Sequence, residues 1–138
     1  MNETIVKLPN AIIKYRSDGI IHVHYLENLI NLQESKEIFY TIREHSPWEV
    51  SPLFISGETF TSLDKEAKVF FAGEEVLKHC SCVAVLVKNI GQKLLTNFYF
   101  KLIKTNTPTR FFSSESEAII WAIKYSANNI LKTRIVGK

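Results

Sequence analysis

The sequence predicts an α/β domain with a mostly parallel five-stranded sheet and an N-terminal antiparallel hairpin. Three observations carry this. Short β-branched and aromatic runs alternate along the chain with stretches of helical periodicity. The run 81–88, SCVAVLVK, is apolar without alternation, as in a strand buried on both faces between parallel neighbours. The first two strand-like runs are separated by three residues, far too few for a parallel crossover.

Those first runs are residues 11–16 (AIIKYR) and 20–25 (IIHVHY), joined by Ser17-Asp18-Gly19, with Gly19 free to take positive φ. In the second, Ile21, Val23 and Tyr25 face one way and Ile20, His22 and His24 the other, so one face is the drier. Asn31 stands three residues before Glu34, a capping-box start for a helix to about His45. Leu32, Ile38, Phe39 and Ile42 give that helix its apolar stripe, and His45-Ser46-Pro47 ends it. Leu53, Phe54 and Ile55 form a buried third strand closed by Ser56-Gly57.

Ser62 or Asp64 caps the next helix, with Asp64 and Glu66 near the positive end of its dipole. Leu63, Ala67, Phe70 and Phe71 line its inner face. Ala72-Gly73 interrupts it, and 74–79 adds a further helical segment. After the central strand, 89–104 is a helix that cannot run into Pro108. Residues 109–112 form the last strand, and Ser114 with Glu117 makes an S-x-x-E box for a helix to about Tyr125. The order is β-β-α-β-α-β-α-β-α.

At 138 residues the chain reads as one domain, with its core at about 10–126 and a basic tail at 127–138. Folding at this size buries roughly two thirds of the unfolded surface, enough for a core without staples. Cys80 and Cys82, two apart on a strand, are expected on one face, a poor geometry for a mutual disulfide and suited to a reducing compartment. The start MNETIVKLPN has no apolar core of a signal peptide, and apolar runs such as 83–87 are far below the roughly 20 residues of a membrane span. A cytoplasmic protein is therefore expected. Residues 1–85 carry 8 basic and 12 acidic side chains, net −4, and 86–138 carry 9 and 2, net +7. A basic half can attract nucleic acid, anionic lipid or an acidic partner. Complementary charge within one domain is the plainer reading, and nucleic acid is not expected as a partner.

Chemistry is sparse. His22 and His24 share a face as a metal pair would, but no recognisable spacing supplies further ligands, and His45 and His79 end other elements. Cys80-x-Cys82 is not C-x-x-C and reads as core packing. No glycine-rich phosphate loop is present, and Glu74-Glu75 reads as a solvated face. No catalytic residue, metal ligand or cofactor site is expected. The helix 89–104 is more informative. Ile90, Leu94, Leu95, Phe98, Tyr99, Leu102 and Ile103 sweep an arc broader than one core contact needs. Lys93, Asn97, Lys101 and Lys104 run opposite, and Phe100 falls beside Lys93 and Thr96, where exposure is expected. The excess arc calls for a second contact, whether helix, partner subunit or apolar ligand.

This order of elements resembles the STAS-like domains of bacterial anti-sigma-factor antagonists, a superfamily similar in fold to CRAL-TRIO-type lipid-transfer domains. Asn97, Phe98, Lys101, Pro108, Thr109, Phe112, Glu117, Ala118 and Trp121, with Ala67, carry the specific likeness to a branch of small, mostly uncharacterised bacterial proteins. The fold-level resemblance spans about 10–125. Phosphorylatable STAS domains carry a D-S-S-G-like segment after the third strand, with a serine that accepts phosphate. Here residues 60–65 show Asp64 at that place, with Thr61 and Ser62 out of register. The resemblance therefore implies a non-enzymatic regulatory or protein-interaction module without the usual phospho-serine switch. It would dock another protein, or itself as a homodimer, through helix faces. The candidate interaction residues are Asp64, Ser62, Lys93, Phe100, Lys101 and Lys104. The alternative is a binding domain for a lipid or other amphipathic anion, with the aromatic, lysine-lined helix as its wall.

Overall fold

Non-local pairing adds to the sheet a strand that local sequence does not announce. The computed structural model describes residues 3–27, 29–57, 62–87 and 107–126. Its main sheet has six strands in the order β1 (Thr4–Lys7), β2 (Ala11–Tyr15), β3 (Ile21–Tyr25), β5 (Ser51–Gly57), β7 (Cys80–Leu86) and β8 (Thr109–Phe112). The first three are antiparallel neighbours, and the pairs from β3 to β8 are parallel. The five expected strands are all there, with β1 added at the hairpin edge. A second ladder of two residues each joins β4 (Leu29–Ile30) to β6 (Ser62–Leu63). The helices are α1 (Leu32–His45), α2 (Lys65–Phe71), the one-turn α3 (Glu74–Leu77) and α4 (Glu115–Ile123).

The local signals hold where they were strong. Gly19 turns the β2–β3 hairpin at φ 93°, Arg16 N–H donates to Ile20 O at 2.9 Å, and the Asp18 carboxylate binds Arg16. Asn31 caps α1 with both bonds of the box: its side chain accepts from Glu34 N at 2.8 Å, and Glu34 Oε1 accepts from Asn31 N at 3.1 Å. At the other end of α1 the Tyr15 hydroxyl donates to Ile42 O at 2.7 Å, tying orphan carbonyls of the last turn to β2. Ser114 caps α4 by accepting the Glu117 N–H.

The sheet is packed on both faces. Tyr15, Ile21, Val23, Ile55, Val83 and Val85 point to one side and meet Ile38, Ile42, Ala67 and Leu77 of α1, α2 and α3. Ile20, Phe54, Cys82, Ala84 and Phe112 point to the other and meet Ala118 and Ala122 of α4. The strand expected at the centre of the sheet, β7, is hydrogen-bonded between β5 and β8.

One expectation fails here. Cys80 and Cys82 do not share a face: Cys80 packs with the α1 layer and Cys82 lies in the α4 layer. The cause is a β-bulge. Ser51 pairs with Cys80 but Pro52 pairs with Cys82, so Ser81 is an extra residue that shifts the alternation by one. Ser81 Oγ donates to Tyr125 O at 2.8 Å, anchoring the bulge to the end of α4. The helix expected at 89–104 and the tail at 127–138 lie outside the described residues. Among those described, no helix is long and apolar enough to cross a membrane.

Candidate functional site

In open α/β sheets, sites gather outside the carboxyl ends of the parallel strands. Here β3 and β5 end side by side, with His24 opposite Ser56 and Tyr25 opposite Gly57. The chain leaving β3 forms β4 and that leaving β5 reaches β6, and these pair in parallel, Leu29 with Ser62 and Ile30 with Leu63. Asp64 N–H then donates to Ile30 O at 3.0 Å. This small ladder sets the place where α2 starts.

Asp64 is the N-cap of α2. Its backbone is extended, φ −70° and ψ 172°, and its Oδ1 accepts the Ala67 N–H at 2.8 Å. Of the two caps the sequence left open, Asp64 is therefore the one used, and Ser62 lies two residues earlier in β6. The carboxylate answers an orphan helix donor and places negative charge at the positive end of the dipole. A carboxylate at this cap offers no hydroxyl for a serine kinase to phosphorylate. Val69, on the same short helix, is 69% exposed.

The opposite face of the same strand ends holds a polar group. Ser56 is buried, and its hydroxyl lies 2.7 Å from His22 Nε2 and 2.7 Å from His24 Nδ1. A hydroxyl has one proton, so it can donate to one imidazole while accepting from the other. His22 also stacks on Phe54, ring centroids 4.5 Å apart. Burial, then His24, Arg16 and Lys14, hold the His22 imidazolium down to about pKa 4. His22 is therefore neutral near pH 7, a buried hydrogen-bonding ring more than a cation. Tyr25, buried on the other side, has its phenol raised by burial alone.

The two histidines thus converge, as their shared face required, on a serine the sequence reading took only as a strand end. Pairing His24 with Ser56 depends on the parallel register of β3 and β5, which no local pattern records. Among the described residues no group of three His, Cys, Asp or Glu side chains is placed to hold a metal ion. A small apolar pit between α1 and the sheet, lined in part by Phe39, Ile42, Phe71, Val76 and Cys80, has a volume of about 30 Å³, room for roughly one water. Of the interaction residues expected from sequence, Asp64 caps α2 and Ser62 lies two residues earlier in β6, while Lys93, Phe100, Lys101 and Lys104 lie outside the described residues.

A family model described as "Domain of unknown function (DUF7793)" matches residues 13–126. Among solved structures, the chain is similar to an uncharacterised protein of the DUF3478 family with a SpoIIAA-like fold, from Shewanella loihica PV-4. The TM-score is 0.55 and the identity 12%, over 88% of this chain and 92% of that one. At that identity the likeness shows the fold alone, and it agrees with the STAS-like resemblance carried by the sequence. No curated protein matches.

Proposed function

The chain belongs to the family described as Domain of unknown function (DUF7793), and on that premise we propose that it is a non-enzymatic STAS-like regulatory or interaction module. It docks another protein, or a second copy, through helix faces, and it carries no serine phospho-switch. The observation that carries this reading is the Asp64 cap, bonded to Ala67 N–H at 2.8 Å at the start of α2. The STAS resemblance sets this carboxylate where phosphorylatable domains would present a serine, and exposed Val69 supplies apolar area on the same helix. Apolar area beside fixed charge suits recognition of a partner with complementary charge. Lys93, Phe100, Lys101 and Lys104 make a second proposed docking surface.

Native mass spectrometry of the purified chain, before and after incubation with a STAS-type serine kinase and ATP, tests this. The module reading expects no co-purifying small molecule and no added phosphate. A co-purifying amphipathic anion would move the function to ligand binding. Phosphate on Ser62 that changes association would restore the switch and reject the role given to Asp64.

A further inference from the structure

β1 is the edge of the sheet, and it pairs only with β2 among the described residues. An edge strand turns a row of backbone N–H and C=O groups outward, a template for another strand. Ile5, in the middle of β1, is 52% exposed. The register with β2 fixes which way the side chains point: Ile5 is opposite Lys14 and Lys7 opposite Ile12, while Val6 is opposite Ile13 and packs on the α1 layer. Glu3, Ile5 and Lys7 therefore follow one another along one face.

We propose that β1 docks a second copy of this chain, the two β1 strands pairing antiparallel about Ile5 across a two-fold axis. The segment Glu3-Thr4-Ile5-Val6-Lys7 is acidic at one end, apolar in the middle and basic at the other. Antiparallel pairing sets Ile5 against Ile5 and brings Glu3 of each copy opposite Lys7 of the other. Parallel pairing would set like charges together, so the charge pattern selects one orientation.

Glu3 is already held in place for this. Its Oε2 accepts from Ser17 through the N–H at 3.1 Å and the hydroxyl at 3.5 Å, while its Oε1 lies 3.1 Å from Lys14 Nζ and keeps a lone pair for a further donor. Its carboxyl is lowered by the bonds from Ser17 and Lys14, so it is charged at neutral pH. Each copy has one β1, so the pairing closes at a dimer and cannot grow into a fibre. The strand is four residues long, so the contact is smaller than a standard interface and the dimer is weak and concentration-dependent. This names one partner of the interaction module proposed above and rests on that reading.

Sedimentation equilibrium of the full chain from micromolar to millimolar concentration tests it. The wild type is expected to pass from monomer to dimer. Ile5→Lys and Lys7→Glu, both at exposed positions, should each raise the dissociation constant by roughly tenfold or more. Glu3→Lys should do the same alone, and mixing it with Lys7→Glu should restore association, because each heterodimer again pairs opposite charges. Melting curves confirm that each variant is folded; if Glu3→Lys is not, the other two variants decide the matter. A wild type that stays monomeric throughout overturns the proposal. Association unchanged in Ile5→Lys and Lys7→Glu overturns the β1 contact but leaves the module reading standing, whereas a co-purifying ligand strikes at that reading and not at β1.

Discussion

His22 Nε2 lies 2.7 Å from the hydroxyl of Ser56, across the parallel register of β3 and β5. The ring is stacked on Phe54 and sits among His24, Lys14 and Arg16, so protonating it would place a charge in a desolvated and already positive setting.

That placement makes stability depend on pH in a definite direction. The folded state holds His22 at about 4 against an ordinary 6.5. Between those values the unfolded chain binds the proton more readily, so stability is complete above the upper value and falls as pH drops towards the lower one. The loss is on the order of 2 kcal/mol once partial exposure is allowed for. Urea unfolding at about pH 7 and about pH 5 should show it. His22→Gln keeps a hydrogen-bonding group but cannot titrate, so the difference between the two pH values should shrink. An equal loss in wild type and variant would mean that other groups carry the pH dependence.

The cap at α2 gives a second test. Asp64→Ala should cost about 0.5–2 kcal/mol, because the Ala67 N–H loses its acceptor, while Asp64→Asn should cost a fraction of that. Asp64→Ser keeps a capping oxygen and adds a hydroxyl. A STAS-type kinase should phosphorylate Asp64→Ser and leave the wild type unmodified at this position. Intact mass reads the result directly.

What was legible in the sequence was what neighbouring residues decide among themselves. Asn31 with Glu34, Gly19 in its turn and Asp64 before α2 each act within a few residues, and each is found in its expected role. That β7 is an interior strand, paired on both sides by β5 and β8 though next to last in the sheet, was legible because burial on both faces leaves a continuous apolar run. β1 was not, because Thr4–Lys7 is too short to show a period and is a strand only through its register with β2. The ladder of Leu29 with Ser62 was hidden for the same reason. Ser81 looks like any strand residue until its neighbours pair with Ser51 and Pro52, so the bulge, and with it the side on which Cys80 faces, belonged to tertiary structure alone. Ser56 joined the histidines by the same kind of long-range pairing.

Gly19 is held by backbone and by packing together, and the two can be separated. Its φ is 93°, and a Cβ there would lie 3.0 Å from Ser126 Cβ, beside the buried end of α4. Gly19→Ala should cost about 1–2 kcal/mol from the left-handed backbone alone. The contact with Ser126 adds to that. In Gly19→Ala with Ser126→Gly the contact is relieved and the backbone cost remains, so the double variant should be more stable than Ser126→Gly and Gly19→Ala summed. Strict additivity of the three melting shifts would show that the two residues do not meet.

The bulge at Ser81 yields the last expectation. Cys80 and Cys82 are near in sequence, yet the extra residue sends one thiol to the α1 layer and the other to the α4 layer, with the sheet between them. A disulfide needs its Cβ atoms within about 4.5 Å and directed at one another, which opposite faces of a strand do not provide. Burial also pushes both thiols up to about 12, so little thiolate is present at neutral pH to begin the reaction. Under diamide the native protein should keep both thiols, and an aromatic disulfide reagent should label them slowly. In urea both should react at once. Cys80 Sγ donates a weak bond to Val76 O at 3.6 Å and lines the small pit under α1, so when the native protein is warmed it should be labelled before Cys82. A Cys80–Cys82 disulfide formed in the folded chain, seen as the loss of a pair of hydrogens by intact mass, would mean that the two side chains share a face after all and that the bulge is misplaced.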